Sequence, residues 1–259
     1  MELQQQAPEP VDSIIAELFA NGGGAFCSSV ISRQEGEFLR GLASRADIRN
    51  TVEVGFANGI STLYICSGTA SKPNPRHTAI DPGQRTVFQG NGIANVKRAG
   101  FDFLRLIEEP SEVALPRLMQ EGEIFDLAFI DGWHTADQTM LDFYYVDRIV
   151  RPGGIVIIDD ATMPSVNKVL HYIAKVPNYK LIGHAGKRGM KRRIINYTKA
   201  VASVPCWPLK KILGEGLMRE FVDDGILHPG TLWSLDSCSM VAFQKTGRYD
   251  RGTEWYEGM

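Results

Sequence analysis

The sequence has few cysteines, little charge imbalance and no long apolar run. Its four cysteines are widely spaced and include no Cys-x-x-Cys pair, which argues against a disulfide scaffold and against a cysteine zinc site. No apolar run approaches the ~20 residues that a membrane-spanning helix needs. Residues 1–10 are polar and acidic, unlike a secretory signal. We therefore expect a cytoplasmic protein with no membrane partner.

The composition is that of an ordinary globular protein. The 259 residues are 44% hydrophobic and 22% charged, and the formal charge is -2. A chain of this length can bury a core without disulfide or metal crosslinks. The charge balance argues against a cation-covered protein that binds nucleic acid. A basic cluster at residues 187–193 leaves a local phosphate-binding patch open, although such charge runs are more often solvated loops.

From residue 50 onward, short apolar runs alternate with amphipathic stretches. This pattern is typical of β-α-β units around a buried, mostly parallel sheet. Strands are predicted at residues 51–54, 77–80, 103–107, 125–130, 155–158, 179–182 and 240–244. Helices are predicted at residues 11–20, 60–67, 111–121, 135–150 and 165–176. A further helix begins near Ser32, where Glu35 completes a capping box.

The predicted fold class is α/β, with a doubly wound, mostly parallel seven-stranded sheet. We expect a single domain with four parts along the chain. They are a helical cover at residues 1–49, a core that binds the cofactor at 50–184, an insertion or lid at 185–238, and the last strand and tail at 239–259.

The turn after the first predicted strand contains Gly55 and Gly59. Glycine lets the backbone come close to a ligand, and the N-terminus of the following helix offers free N–H groups to a carboxylate or a phosphate. The spacing is not Gly-x-Gly-x-x-Gly and no Gly-Lys-Ser/Thr follows, so dinucleotide and P-loop sites are both disfavoured. The alternative is a tight turn without a ligand.

Asp81 ends the second predicted strand. A carboxylate at such a position can accept both hydrogen bonds of a ribose diol, as acids do in folds that bind nucleosides. The alternative is an aspartate that caps a turn or a helix. Together with the glycine turn, Asp81 favours an adenosine-containing ligand.

Acidic residues also end the fourth and fifth predicted strands: Asp131 follows one, and Asp159 and Asp160 follow the other. We expect these strands to be neighbours, which would bring the three carboxylates together. Their negative charges would then repel one another unless a bound cation neutralises them. Oxygen ligands of this kind suit Mg²⁺, with Mn²⁺ or Ca²⁺ as alternatives. Otherwise Asp160 caps the next helix and Asp159 faces solvent.

Residues 50–180, and more loosely 240–246, resemble a class I S-adenosylmethionine-dependent methyltransferase of the catechol and antibiotic-sugar O-methyltransferase branch. The resemblance is carried by the glycine turn, the Glu-Pro-Ser-Glu segment at 109–112, the Asp-Gly-Trp-His segment at 131–134, and the segment from Arg-Pro-Gly-Gly to Asp-Asp at 151–160. It implies methyl transfer from S-adenosylmethionine to a hydroxyl of a small acceptor, such as a sugar, a catechol or a natural product, assisted by a divalent metal.

The resemblance also implies roles for single residues. The residues assigned to the cofactor are Glu53, Gly55, Gly59 and Ser61 at the methionyl part, Asp81 at the ribose, Ser111, Glu112 and Trp133 at the adenine, and Asp131. Within this set Ser61 would bind the carboxylate, and Glu53 would orient either the loop or the amino group. Asp131 is further assigned to catalysis and to the metal, together with Asp159 and Asp160.

The sequence departs from the catechol enzymes in two places. Where they have Asp-Asn, this chain has Asp160-Ala161, and Asp159 is expected to supply the missing ligand. Where they have a catalytic lysine, this chain has His134. An imidazole titrates near neutral pH and is a natural general base, so His134 is the predicted base. The alternative is a histidine that is only hydrogen-bonded in a loop.

Two rival functions remain open at this point. An NAD-dependent oxidoreductase would share the fold and the ribose acid, but its glycine spacing differs. A non-catalytic protein that binds a cofactor on the same fold would keep the motifs without the reaction. The expected partner is a small-molecule acceptor rather than nucleic acid, and formation of a homo-oligomer is left open.

Overall fold

The computed structural model describes residues 7–21, 30–186 and 238–248. The elements in chain order are α1 (Val11–Ala20), α2 (Arg33–Ala43), β1 (Asn50–Val54), α3 (Ile60–Thr69), β2 (Arg76–Ile80), α4 (Asn91–Arg98), β3 (Leu104–Ile107), α5 (Ser111–Gln120), β4 (Phe125–Ile130), α6 (Ala136–Ile149), β5 (Val150–Ile158), α7 (Pro164–Lys175), β6 (Tyr179–Ala185) and β7 (Met240–Lys245). The basic cluster at 187–193 and nearly all of the predicted insertion lie outside the described residues. Within the described part, no helix has the length and apolar character needed to cross a membrane.

The strands form one seven-stranded sheet in the order β3-β2-β1-β4-β5-β7-β6. Strands β1 to β5 pair in parallel, and β7 runs antiparallel to both β5 and β6. The predicted fold class, a mostly parallel doubly wound sheet with seven strands, is thereby confirmed.

The central strands are apolar on both sides because helices cover both faces of the sheet. Side chains alternate along β1, so that Val52 and Val54 enter the core on one face. That core includes buried side chains of α5, α6 and α7. The core on the other face is filled from α1, α2, α3 and α4.

The parallel strands end at one level, and the backbone ladder continues for one residue beyond them. Four residues that directly follow a strand each donate their N–H to the last carbonyl of the neighbouring strand: Gly55 to Ile80 at 2.9 Å, Asp81 to Ile107 at 3.0 Å, Asp131 to Val54 at 2.9 Å and Asp159 to Ile130 at 3.0 Å. These bonds fix the starts of four loops side by side at the carboxyl edge of the sheet.

The structure differs from the sequence-based prediction at α4 and at β5. Helix α4 was not predicted, because it is short and contains Gly92 and two asparagines, which are poor helix formers. Strand β5 begins at Val150 rather than at residue 155, and its pairing with β4 is irregular after Phe125. Pro152 lies in this irregular part, where no ladder hydrogen bond from its nitrogen is needed.

Helix α2 begins with the predicted capping box, which is confirmed. Ser32 Oγ accepts the Glu35 N–H at 3.3 Å, and Glu35 Oε2 accepts the Ser32 N–H at 2.6 Å. The same helix approaches α3 closely: a Cβ added at Gly36 would lie 2.1 Å from the ring of Tyr64. The contact between the two helices therefore depends on the missing side chain of Gly36.

Two glycines of α2 allow this packing constraint to be separated from helix propensity. Gly36→Ala should lower the free energy of unfolding by about 1–3 kcal/mol, because the methyl group overpacks the contact with Tyr64. Gly41 has no atom within 4 Å of an added Cβ, so Gly41→Ala should raise stability by up to about 1 kcal/mol. Urea unfolding of both variants measures the difference, and equal effects would contradict the close approach.

Candidate active site

A cavity of about 800 Å³ opens at the carboxyl edge of the sheet, a size typical of small-molecule sites. Most of the residues predicted for the site line it: Gly55, Ser61, Asp81, Ser111, Asp131, Trp133, His134, Asp159 and Asp160. They come from the ends of β1, β2, β4 and β5 and from the first turns of α3 and α5. Trp133 stands at the cavity with 73% of its surface exposed.

Glu53, in contrast, does not line the cavity. Its position in β1 turns its side chain towards α3, where it is fully buried and accepts a hydrogen bond from the hydroxyl of Thr62. His77 Nε2 lies 3.3 Å from the same carboxylate. In this structure Glu53 therefore contacts α3 and β2, and both of its predicted roles at the cofactor stay predictions.

Gly59 and Glu112 also lie outside the cavity lining. Gly59 caps α3 at φ 78°, and a Cβ there would lie 3.1 Å from the carbonyl of Gly92 in α4. Its lack of a side chain therefore allows the close packing against α4, and its predicted cofactor contact stays a prediction. Glu112 follows Ser111 in the first turn of α5 and faces Gln138, whose Nε2 lies 3.3 Å from its carboxylate.

Gly55 allows the loops after β1 and β4 to touch. Its φ is +93°, and an added Cβ would lie only 2.0 Å from the backbone oxygen of Asp131. Ala57, two residues on, also has a positive φ of 45°. The backbone of this turn is thus held in a conformation that most residues avoid, as is common in ligand-binding loops.

Asp81 braces the same turn. Its Oδ2 accepts the N–H groups of Phe56 at 3.1 Å and Ala57 at 2.7 Å, and its Oδ1 accepts the N–H of Gly83 at 2.7 Å. The carboxylate lines the cavity and keeps further lone pairs for hydroxyl donors. The predicted ribose contact stays a prediction, and the structure adds a second task for this side chain.

Asp131 and Asp159 both have pKa values that are raised well above the usual range. Burial and the neighbouring carboxylates of Asp159 and Asp160 raise the pKa of Asp131 well above its usual range. The pKa of Asp159 is likewise raised by burial, by Glu35 and by Asp160. Carboxylates that are enclosed together favour protonation or a bound cation, because both relieve the repulsion.

His134 lies against Asp160, with its Nδ1 at 2.9 Å from Oδ2. This hydrogen bond is the main reason that the pKa of His134 is raised. Asp160 itself has a positive φ of 51°. Oxygen or nitrogen atoms of Asp131, His134 and Asp160 lie within 4.8 Å of one another, so that these three could together hold a metal ion. Among the described residues, Asp159 is not part of this group.

The strand register places Asp159, and not Asp160, directly after the last paired residue of β5. Ile130 pairs with Ile158, so Asp131 and Asp159 are the first residues beyond two adjacent strands. Asp159 and Asp160 are therefore the pair at the strand end, and Ala161 is fully buried behind them.

Acids dominate the electrostatics of the cavity. Glu35, Asp81, Asp131, Asp159 and Asp160 line it, whereas no lysine or arginine does so among the residues that the structure describes. Such a lining favours a cationic ligand over a pyrophosphate.

The sequence of this chain is similar to a methyltransferase family model and to catechol O-methyltransferases. Residues 52–161 match the family described as a methyltransferase domain. A catechol O-methyltransferase of Mycobacterium tuberculosis is 26% identical over 170 residues, 61% of this chain and 74% of the relative. These similarities support a class I S-adenosylmethionine-dependent O-methyltransferase.

Solved structures share its fold. The O-methyltransferase from Bacillus cereus, in complex with S-adenosylhomocysteine, has a TM-score of 0.56 at 20% identity, covering 68% of this chain and 84% of that one. The O-methyltransferase TomG from Streptomyces achromogenes, involved in tomaymycin synthesis and solved with S-adenosylmethionine, has a TM-score of 0.56 at 18% identity, covering 70% and 84%. The resemblance, the fold class and the enzyme class inferred from the sequence are confirmed.

The cavity residues that sequence reasoning missed include Glu35 and Ser239. Glu35 was identified only as a helix cap, yet it lines the acidic end of the cavity and accepts a hydrogen bond from the hydroxyl of Ser239. Ser239 precedes β7, far from Glu35 in the chain. The acidic capping residue was visible in the sequence, but only the tertiary structure brings α2 to the end of β7.

The close approach at Gly55 yields a test in the methyltransferase itself. Gly55→Ala should lower the free energy of unfolding by about 2–4 kcal/mol. The added methyl group would clash with backbone atoms of Asp131, and alanine is also strained at this positive φ. Gly122 has a similar φ of +72° but open space around it, so Gly122→Ala should cost only about 1 kcal/mol. Urea unfolding and calorimetry with S-adenosylhomocysteine measure both.

We expect loss of S-adenosylhomocysteine binding in Gly55→Ala and normal binding in Gly122→Ala. Equal stability and equal affinity in the two variants would contradict the role assigned to the contact between the β1 and β4 loops.

Proposed function

We propose that this methyltransferase methylates a hydroxyl of a small sugar, catechol or natural-product acceptor, with a divalent metal at the acidic end of the cavity. The observation that carries the proposal is the meeting of Asp131, Asp160 and His134 beside a cavity of small-molecule size. Acids to hold a cation and an imidazole to accept a proton are what deprotonation of a hydroxyl requires.

The cofactor is proposed to lie along the cavity from α3 to α5. Ser61 and the free N–H groups at the start of α3 would bind its carboxylate, since Gly59 provides no side-chain cap. Asp81 would bind the ribose, and Ser111 and Trp133 would contact the adenine. The acidic lining supports a sulfonium cofactor and argues against NAD, whose pyrophosphate would meet carboxylates without a described lysine or arginine in the lining.

The donor set fits a hard divalent cation such as Mg²⁺, with Mn²⁺ or Ca²⁺ as alternatives. Asp131 and Asp160 would hold it, with Asp159 as the predicted third ligand. The raised pKa values of Asp131 and Asp159 support this fit, because a cation would relieve the repulsion between the enclosed carboxylates. When bound, the metal would orient the acceptor oxygens and lower the pKa of the hydroxyl.

His134 is proposed as the general base. Its Nδ1 is engaged by Asp160, which fixes the ring and leaves Nε2 as the nitrogen that accepts the acceptor's proton. The geometry leaves a competing role, since His134 also belongs to the group that could hold a metal. The two roles differ in what removal of the imidazole does to metal affinity.

Metal binding is tested without turnover by following Mn²⁺ through its electron paramagnetic resonance signal. Asp131→Asn and Asp160→Asn should each weaken Mn²⁺ binding by about tenfold or more, since each removes a charged ligand. We expect Asp159→Asn to weaken it as well and His134→Ala to leave it within a few-fold. Asp137→Asn, an exposed acid at the start of α6, is the control. Retained binding in Asp131→Asn and Asp160→Asn would exclude the metal role.

The base is tested with radiolabelled S-adenosylmethionine and 3,4-dihydroxybenzoate as the acceptor probe. His134→Ala should lower turnover by about 10² or more, with S-adenosylhomocysteine affinity unchanged. A normal rate would reduce His134 to a structural residue, and loss of Mn²⁺ binding would make it a ligand instead. If the wild-type chain fails to bind S-adenosylhomocysteine in calorimetry, the proposed catalytic function is wrong.

A further inference from the structure

Two buried side-chain amides hold the backbone of the turn at residues 55–59, between β1 and α3. Gln84 Nε2 donates a hydrogen bond to the carbonyl oxygen of Ala57 at 2.8 Å, and Asn95 Nδ2 donates one to that of Asn58 at 3.0 Å. Gln84 lies between β2 and α4, and Asn95 lies within α4. Neither amide has a task in the proposed reaction.

These contacts complete the hydrogen bonding of the carbonyl groups of the turn. The carbonyl of Phe56 accepts the N–H of Gly59 at 2.7 Å, and that of Gly59 accepts the N–H of Leu63 at 2.9 Å. The two carbonyls between them, those of Ala57 and Asn58, receive the side-chain amides. In a planar trans peptide the C=O and the N–H point in opposite directions, so each amide also fixes the direction of the next N–H.

The amide of Gln84 is only partly satisfied. Gln84 is fully buried, and its Oε1 has no hydrogen-bond partner among the described residues. A carbonyl can only accept, so the amide turns its nitrogen to Ala57 and leaves its oxygen beside Gly92 of α4. A buried acceptor without a donor lowers stability, and an apolar residue of the same size would avoid that cost. Stability alone therefore does not account for a glutamine at this position.

The conformation of Ala57 needs such an external restraint. Its φ of 45° lies in the left-handed region, which residues other than glycine adopt at a cost in free energy. Its carbonyl oxygen is enclosed by α4, because an added Cβ at Gly92 would lie 2.6 Å from it. Without the N–H of Gln84 this enclosed oxygen would lack its donor. We therefore expect the turn to relax in the absence of the amide.

We infer that Gln84 and Asn95 are positioning residues that hold the turn at 55–59 in the conformation that binds the methionyl part of S-adenosylmethionine. The inference rests on the proposed placement of the cofactor along this turn. Ala57 and Asn58 line the cavity. The two amide side chains do not line it, so they act through the turn. A relaxed turn must be ordered again when the cofactor binds, and that cost lowers the affinity.

The test is calorimetry of the full chain with S-adenosylhomocysteine, with each variant compared with the wild type at the same pH. Gln84→Met is similar in size but has no donor, so its dissociation constant should rise at least about tenfold at about pH 6 and at about pH 9. Gln84→Glu should bind within about threefold of the wild type at about pH 6, because burial keeps a carboxyl group protonated and able to donate to Ala57. At about pH 9 ionisation removes that hydrogen, and the affinity should fall towards that of Gln84→Met.

Asn178 provides a matched control on the far side of the sheet. It is also buried, its Nδ2 donates to the carbonyl of Gly247 at 3.0 Å, and its Oδ1 has no partner among the described residues. It precedes β6 at the edge of the sheet opposite the cavity. Asn178→Leu removes an equivalent amide and should leave the dissociation constant of S-adenosylhomocysteine unchanged.

Asn95→Leu is a second variant for the case that Gln84→Met does not fold, and it should weaken binding at least about fivefold. Normal binding in both variants overturns the inference and leaves the proposed function intact. Equal weakening in Asn178→Leu, which would show a general loss of stability, overturns it too. The same holds if Gln84→Glu binds no better than Gln84→Met at about pH 6. Absence of S-adenosylhomocysteine binding in the wild type overturns both the inference and the proposed function.

Discussion

The site depends on a single backbone constraint: parallel strands in register must end together. The ladder runs one residue past β1, β2, β4 and β5, so that Gly55, Asp81, Asp131 and Asp159 start their loops at the same level. Residues more than a hundred positions apart thereby become neighbours at one edge. The chemistry of the cavity follows from which side chains occupy these first positions, as is general for open α/β sheets.

The same alignment has an electrostatic cost. Asp131, Asp159 and Asp160 lie near Glu35 and concentrate negative charge at one end of the cavity. Burial, and after it the neighbouring carboxylates, raise the pKa of Asp131 and of Asp159 well above the usual range. The fold tolerates the charge because apolar cores on both sheet faces hold the strand ends in place. A sulfonium group and a divalent cation are both ligands that such a field attracts.

Buried polar side chains just behind the cavity wall hold the wall in shape. Glu53 connects β1 to Thr62 of α3 and to His77 of β2, and His77 in turn contacts Thr51 through Nδ1 at 2.7 Å. On the opposite face the Gln138 side-chain amide donates to Ser111 Oγ and to Asp142 Oδ1. Both clusters join a helix to the sheet or to another helix close to the cavity.

Local periodicity in the sequence was enough to predict the sheet, most of the helices and the strand-end acids, because alternating apolar runs and glycine turns act over a few residues. It could not show that Glu53 turns away from the cavity, that Gly59 serves α4, or that His134 rather than Asp159 joins Asp131 and Asp160 within mutual reach. It also could not place Glu35 beside Ser239. Those facts depend on side-chain direction and on contacts between distant segments, which strand register and helix packing decide only in the folded chain.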